Sequence, residues 1–226
     1  YVLNGVKQFI SGAGTSETYL VMARTGQEGP RGITAFLLSK DMEGLSFGPD
    51  ELKMGWRAQP TKQVIMENVQ VPVENVLGEI GQGFKIAMSG LNGGRLNIGA
   101  CSIGGGQAAL EKAIDYMGER HAFGGELLQF QALRFRLAEM QTRLETARPL
   151  LRRAARAYDA GDPRVPEPVA LANLSAPDPG LAVANEAHHL PGRHGCLNHN
   201  VTVEIDRHLR RYTLSSGTNA TTRRIL

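Results

Sequence analysis

The fold of this chain is decided by residues 133–158, which read LRFRLAEMQTRLETARPLLRRAARAY. The apolar residues of this stretch recur at alternating steps of four and three, at Leu133, Leu137, Met140, Leu144, Ala147, Leu151, Ala154 and Tyr158. Such steps place side chains on one face of an α-helix, because the helix completes a turn about every 3.6 residues. The stretch therefore predicts a long helix with one buried stripe and with arginines on its solvated face.

Helical patterns extend to both sides of this stretch. A segment rich in glycine and alanine predicts an earlier helix from about Leu91 to His121. A later helical pattern from about Pro166 to Leu190 contains Pro177 and Pro179, so we expect two shorter helical pieces there, or one poorly ordered piece. Residues 80–226 are thus predicted to form an α-helical bundle.

Residues 1–79 show a different pattern, with short apolar runs at Tyr19–Ala23, Ile33–Leu38 and Val64–Val71. Glycine- and proline-rich turn clusters separate these runs, which predicts antiparallel strands joined by loops. Asn4-Gly5 lies between two apolar runs and predicts the type I′ turn of a tight hairpin. The predicted fold class is α+β, with an antiparallel β domain followed by a helical bundle.

Composition narrows the possible functions and compartments. The 226 residues are 42% hydrophobic and 21% charged, with a net charge of +3, which is ordinary for a globular protein and gives little support for a nucleic-acid partner. The apolar runs are far shorter than the roughly 20 residues that cross a bilayer, so no membrane association is expected. Cys101 and Cys196 form no CxxC pair, which favours a reducing compartment, either a bacterial cytoplasm or a mitochondrial matrix. The sequence starts within a strand pattern and stops within a helical one, so we expect it to be a segment of a longer protein.

Several motifs together resemble one enzyme family. They read LNGVKQFISGAG at residues 3–14, GLSFG at 44–48, GWRAQPT at 55–61, GQGF at 81–84, GLNGGRLNI at 90–98 and RHAFG at 120–124. On these motifs the chain resembles the acyl-CoA dehydrogenases over its whole length. The resemblance implies the remainder of a middle β domain without its first strands, followed by a C-terminal four-helix bundle, in a homotetramer.

The resemblance also implies a reaction. Enzymes of this family use FAD to introduce an α,β double bond into an acyl-CoA, here a short branched-chain substrate such as isobutyryl-CoA, and pass electrons to an electron-transfer flavoprotein. The positions that match its cofactor contacts are Phe9, Ser11, Arg120, Phe123, Gln131, His189, Gly192 and Thr218. Those that match its substrate contacts are Asn92, Arg95 and Gly217.

Two kinds of cofactor contact follow directly from the side-chain chemistry at these positions. An aromatic face such as that of Phe9 can cover a flavin ring, while the hydroxyl of Ser11 can donate to a ring nitrogen. The guanidinium of Arg120 can fork across pyrophosphate oxygens of a neighbouring subunit's cofactor. His189 stands where the family usually has a glutamine.

The catalytic base is the main departure from the family pattern. The family's glutamate corresponds to Ser216, and the alternative glutamate of some relatives corresponds to Gly94, so neither position carries a carboxylate. A serine hydroxyl is a poor base unless a neighbour activates it, so we expect weak or absent turnover. Glu204 or Asp206 could replace the base only if the fold brought one within hydrogen-bond reach.

Two alternatives remain open at this point. The chain could be a non-catalytic subunit that binds flavin or completes the site of a partner dehydrogenase. It could also hold a metal, because five histidines lie near Cys196, at positions His188, His189, His194, His199 and His208. Their spacing matches no familiar zinc pattern, and the family resemblance explains the segment without a metal.

Overall fold

The computed structural model of the chain describes residues 1–192, 197 and 200–214. It divides into two compact units, residues 1–90 and residues 91–226. The first unit contains antiparallel strands and the second contains helices, which confirms the predicted α+β class. The predicted domain boundary between residues 79 and 80 stays a prediction.

The first unit contains two antiparallel three-stranded sheets. Its strands are β1 (Val2–Ser11), β2 (Thr18–Arg24), β3 (Ile33–Ser39), β4 (Leu45–Phe47), β5 (Thr61–Gln70) and β6 (Val76–Leu77). The strand orders are β1-β5-β4 and β2-β3-β6, and every pair is antiparallel. The three strands predicted from short apolar runs are confirmed as β2, β3 and β5.

Side chains from both sheets form one apolar core. One sheet contributes Leu3, Val64, Met66 and Val69, and the other contributes Tyr19, Val21, Phe36 and Leu38. Burying such a side chain is worth about 1.5–3 kcal/mol. A register slip of one residue would turn the whole set outward, so this core fixes the strand register.

The predicted hairpin at Asn4-Gly5 is wrong. β1 continues through both residues and pairs with β5, and the register shifts between Leu3 and Gly5. The side chain of Asn4 bonds both the backbone N–H and the side-chain oxygen of Asn68, which has a left-handed φ of 55°. The positive φ of Gly5, 139°, therefore serves a strand irregularity instead of a turn.

The helices are α1 (Gly83–Glu119), α2 (Gln131–Asp159), α3 (Pro166–Ser175), α4 (Pro177–His189) and α5 (Val201–Tyr212). A small hairpin of β7 (His121–Ala122) and β8 (Gly125–Glu126) joins α1 to α2. The two pieces predicted between Pro166 and Leu190 are confirmed as α3 and α4, which are separated by one residue. Within the described residues, no helix has the length and apolarity that a bilayer crossing requires.

The start of α1 differs from the prediction by eight residues. The sequence predicts a start near Leu91, whereas the helix begins at Gly83. A β-carbon at Gly83 would lie 2.6 Å from the carbonyl carbon of Thr34 and 2.8 Å from the backbone nitrogen of Ala35. This close approach to β3 requires a glycine, and such a tertiary contact leaves no periodic signal in the sequence.

The stripe that predicted α2 is buried along its middle. Met140, Leu144, Ala147 and Ala154 are buried, whereas Tyr158 is 37% exposed. Glycines on α1 allow the other helices to approach closely. A β-carbon at Gly105 would lie 2.8 Å from the side chain of Leu209, and one at Gly106 would lie 2.9 Å from the side chain of Leu144.

Candidate functional site

In the first unit, Phe9 and Ser11 lie at the end of β1. Phe9 has a φ of 59° and is 67% exposed, at the point where the β1-β5 register shifts between Lys7 and Ile10. Ser11 is the last residue of β1, pairs with Thr61 and is exposed. Left-handed backbone at a non-glycine residue costs about 1–3 kcal/mol and persists only where its surroundings impose it. The strand end thus presents an aromatic face and a hydroxyl to solvent.

In the second unit, the β7-β8 hairpin carries a second exposed aromatic residue. Phe123 has a φ of 55° and is 91% exposed, and its ring is T-shaped to that of Phe130, with a centroid distance of 6.3 Å. Gln131 is the first residue of α2, directly after Phe130, so the structure places Phe123 beside the start of that helix. Arg120 is exposed at the base of the hairpin, where its carbonyl accepts the N–H of Leu127 at 2.9 Å.

Asn92 and Arg95 are one turn apart on α1 and contact each other. Nη1 of Arg95 donates to Oδ1 of Asn92 at 3.1 Å. Arg95 is only 9% exposed, and burial lowers the pKa of its guanidinium. Its Nε is buried and has no hydrogen-bond partner among the described residues.

Tyr158 is a neighbour of this segment that the sequence did not single out. A β-carbon at Gly93 would lie 3.3 Å from the Tyr158 hydroxyl oxygen, so the end of α2 packs over the segment between Asn92 and Arg95. The only signal for this residue in the sequence was that a tyrosine ends an otherwise aliphatic stripe. The polar hydroxyl of a tyrosine favours partial exposure. A β-carbon at Gly94, by contrast, would meet no atom of the described residues within 4 Å.

His189 and Gly192 lie at the end of α4 and just beyond it. His189 is exposed, and its ring lies edge-on to that of His188, with centroids 5.9 Å apart. Gly192 has a left-handed φ of 59°, and a β-carbon there would meet no atom of the residues that the structure describes within 4 Å. The remaining predicted positions, Ser216, Gly217 and Thr218, lie outside the described residues.

The two carboxylates considered as substitute bases both face partners on their own helix. Glu204 lies 3.5 Å from Nε2 of His208, an ion pair when that histidine is protonated, and Asp206 lies 3.5 Å from Nη2 of Arg210. These are pairs between residues four apart on α5. Among the described residues, no group of three or more histidine, cysteine, aspartate or glutamate side chains could hold a metal ion. His194, His199 and Cys196 lie outside that part of the chain.

Comparison with known proteins gives the class. Residues 81–226 match the family model for the C-terminal domain of acyl-CoA dehydrogenases, and residues 1–69 match the model for their middle domain. The chain belongs to the acyl-CoA dehydrogenase family, which confirms the resemblance drawn from its motifs.

Individual relatives refine this assignment. The chain is 47% identical to the mitochondrial isobutyryl-CoA dehydrogenase of Dictyostelium discoideum over 227 aligned residues, which cover 100% of this chain and 55% of that protein. The solved butyryl-CoA dehydrogenase of Megasphaera elsdenii superposes with a TM-score of 0.96 at 37% identity, covering 100% of this chain and 59% of that one. A second solved chain comes from work on the electron transferring flavoprotein of Acidaminococcus fermentans. It superposes with a TM-score of 0.96 at 38% identity, and the match covers 100% of this chain and 59% of that one. The chain thus spans about half the length of the curated relatives it matches.

Proposed function

We propose that this chain is the middle and C-terminal part of an FAD-dependent acyl-CoA dehydrogenase whose substrate is a short branched-chain acyl-CoA such as isobutyryl-CoA. The observation that carries the proposal is the 47% identity to an isobutyryl-CoA dehydrogenase along the entire chain. By the same likeness we propose a homotetramer, in a bacterial cytoplasm or a mitochondrial matrix, that passes electrons to an electron-transfer flavoprotein.

The residues present fit an FAD cofactor. Phe9 and Phe123 are exposed aromatic side chains held by left-handed backbone, a costly arrangement for residues that bury little surface. Phe9 would cover the ring system, and Ser11 would donate a hydrogen bond to it. Arg120, Phe123 and Gln131 would contact a cofactor from the β7-β8 hairpin and the start of α2. When bound, the flavin accepts a hydride from the substrate's β-carbon.

Further contacts are proposed mainly because these positions match the family's contact positions. His189, Gly192 and Thr218 would approach the nucleotide part of the cofactor. Asn92, with Arg95 and Gly217, would contact the substrate. The family match supports all of these contacts, and the hydrogen bond between Arg95 and Asn92 shows that those two side chains share one face of α1.

We further propose that turnover is impaired. The reaction needs a base to remove the α-proton of the thioester, and Ser216 and Gly94 occupy the two positions where relatives carry a carboxylate. The carboxylates on α5 are a poor substitute because each faces a basic side chain of its own helix. Loss of general-base assistance slows a reaction by about 10²–10⁴-fold.

The test is anaerobic mixing of the FAD-reconstituted chain with isobutyryl-CoA, followed by the absorbance of the flavin. Ser216→Glu should bleach the flavin about 10²–10⁴-fold faster than the unaltered chain, because it restores a carboxylate. Ser216→Gln is the matched control, since it adds the same bulk without a base. Equal bleaching rates for the unaltered chain and Ser216→Glu would contradict the proposed impairment.

The second candidate function is a non-catalytic subunit that binds flavin or completes the site of a partner dehydrogenase. The absence of a carboxylate at both base positions favours it. Size-exclusion chromatography with a full-length relative tests it: co-elution, with a higher flavin content in the partner, is expected. Separate elution at all mixing ratios would reject it.

A further inference from the structure

The β7-β8 hairpin is short and has a strained turn. Each of its strands has two residues, and the loop between them consists of Phe123 and Gly124, whose φ angles are 55° and 88°. Two positive φ angles are typical of a type I′ turn, which favours asparagine and glycine, so a phenylalanine in it is costly. A hairpin of two short strands is only marginally stable by itself. Contacts outside the turn must therefore hold it closed.

The imidazole ring of His121, the first residue of β7, has an acceptor on each side. Its Nδ1 lies 3.2 Å from the carbonyl oxygen of Glu119, which is the last residue of α1. Its Nε2 lies 3.9 Å from Oε1 of Glu126, the residue that pairs with His121 on β8. The ring thus lies between the end of a long helix and the second strand of the hairpin.

Only the protonated ring can present a proton to both acceptors. A neutral imidazole has one N–H, so one of its nitrogens would face an oxygen with no proton between them. The imidazolium has an N–H on both nitrogens, and its positive charge is favourable at a helix C-terminus and opposite a cross-strand carboxylate. Among the described residues, Glu126 has the only carboxylate within ion-pair distance of His121, and the charged neighbours in the chain are Glu119 and Arg120.

We propose that His121 is a positioning residue: its protonated ring ties the hairpin to the end of α1, and the hairpin opens more readily as the pH rises. Histidine ordinarily changes its charge between about pH 5 and pH 8. A contact that needs the protonated form is present on the acidic side of that range and lost on the alkaline side. The consequence for the cofactor rests on the proposed function, in which Arg120 and Phe123 contact FAD from this hairpin.

The exposure of the two side chains limits the size of the effect. The side chain of His121 is 69% exposed and that of Glu126 is 41% exposed, so water and salt weaken their attraction. The contacts at the helix end and across the strands are each modest in such surroundings. We therefore expect protonation to favour the closed hairpin by about two- to fivefold.

The Leu127 amide reports whether the hairpin is closed, because its N–H donates to the carbonyl oxygen of Arg120 at 2.9 Å. The experiment measures the protection factor of this amide against hydrogen exchange in the full chain, from about pH 5 to pH 8. A protection factor divides out the ordinary pH dependence of exchange. In the unaltered chain it should fall about two- to fivefold as the pH rises, and the fall should shrink in 1 M sodium chloride.

Three variants separate this contact from other causes of a pH dependence. His121→Gln carries no charge, so its protection factor should stay near the alkaline value of the unaltered chain at every pH. Glu126→Gln removes the carboxylate but keeps the contact at the helix end, so the fall should be smaller. His208→Gln is the matched control, because it removes another histidine that faces a glutamate, with Nε2 3.5 Å from Glu204 on α5, and it should leave the fall unchanged.

The dissociation constant of FAD, followed by flavin fluorescence, is the second measurement. FAD should bind about two- to fivefold more tightly at the acidic end of the range in the unaltered chain, and this difference should vanish in His121→Gln. An equal difference in both would overturn the consequence for the cofactor. A chain that bound no FAD at any pH would count against the proposed function, and the Leu127 amide would still decide the role of His121.

The hydrogen-exchange results have clear readings. A fall in the unaltered chain that is absent from His121→Gln supports the proposal. A constant protection factor in the unaltered chain, or the same fall in His121→Gln, overturns it. If His121→Gln did not fold, an equal fall in Glu126→Gln and the unaltered chain at low salt would overturn it instead.

Discussion

Replacing Gly180 by alanine tests how closely α4 approaches α1. Gly180 is buried on α4, and a β-carbon there would lie 2.4 Å from the carbonyl oxygen of Ser102 and 2.9 Å from its carbonyl carbon. Both atoms belong to the backbone of α1, so no side-chain rotation can relieve the contact. The approach is more than 1 Å inside an ordinary contact of about 3.5 Å.

Two opposing effects set the magnitude for Gly180→Ala. Alanine is favoured over glycine within a helix by about 1 kcal/mol. Overpacking a tight interface costs about 1–3 kcal/mol, and we take the upper end because the obstruction is backbone. The net loss of unfolding free energy is therefore about 2 kcal/mol. For a chain of this size it lowers Tm by about 4–8 °C.

The assay is thermal and urea unfolding, with Gly104→Ala as the matched control. Gly104 lies on α1, where an added β-carbon would meet no atom of the described part of the chain within 4 Å, so only the helix preference operates. This control should be more stable than the unaltered chain by about 0.5–1 kcal/mol. If Gly180→Ala were as stable as Gly104→Ala, the close approach of α4 to α1 would be refuted.

Three further predictions concern other parts of the chain. A β-carbon at Gly94 or at Gly118 would meet no atom of the described residues within 4 Å, so both α1 positions can start a longer side chain. Gly94→Glu should speed flavin bleaching by isobutyryl-CoA by about 10²–10⁴-fold, and Gly118→Glu should not; equal rates would count against the proposed base position. Glu186→Gln removes the ion pair in which Nε of Arg136 donates to the Glu186 carboxylate at 2.9 Å. Both side chains are about 40% exposed, so the loss of unfolding free energy in urea should stay below about 1 kcal/mol and should shrink in 1 M salt. The Asp162 carboxylate accepts a hydrogen bond from the backbone N–H of residue 164, and this bond lowers the pKa of Asp162 below the ordinary 3.8. The contribution of Asp162 to stability is therefore present above pH 3.8 and is lost as the pH falls through the lower pKa of the folded state. The Tm difference between Asp162→Asn and the unaltered chain should thus narrow under acidic conditions, and a constant difference down to full protonation would contradict it.

Local periodicity predicted most of the elements. Apolar residues lie on the buried face of each element, so their spacing along the chain indicates the type of element. This holds for the steps of four and three along α2 and for the short apolar runs of β2, β3 and β5. The two prolines near residue 178 predicted the break between α3 and α4 for an equally local reason, because proline cannot donate a hydrogen bond within a helix.

The candidate site was predicted less completely. The motif around Asn92 and Arg95 indicated a substrate-facing segment, but not that the guanidinium is buried against one amide. Nor did the sequence indicate that the Tyr158 hydroxyl packs over Gly93. Burial of a charge depends on which distant side chains surround it, and no spacing along the chain encodes that.

The residue order alone determined the α+β class, the family and the absence of a carboxylate at Ser216 and Gly94. Tertiary structure decided that Asn4-Gly5 lies within a continuous strand, since the same positive φ serves a turn or a bulge and only pairing with β5 selects between them. Tertiary structure also decided that Gly83, the first residue of α1, packs against Thr34 of β3. A contact between residues nearly fifty positions apart depends on packing and not on local propensity.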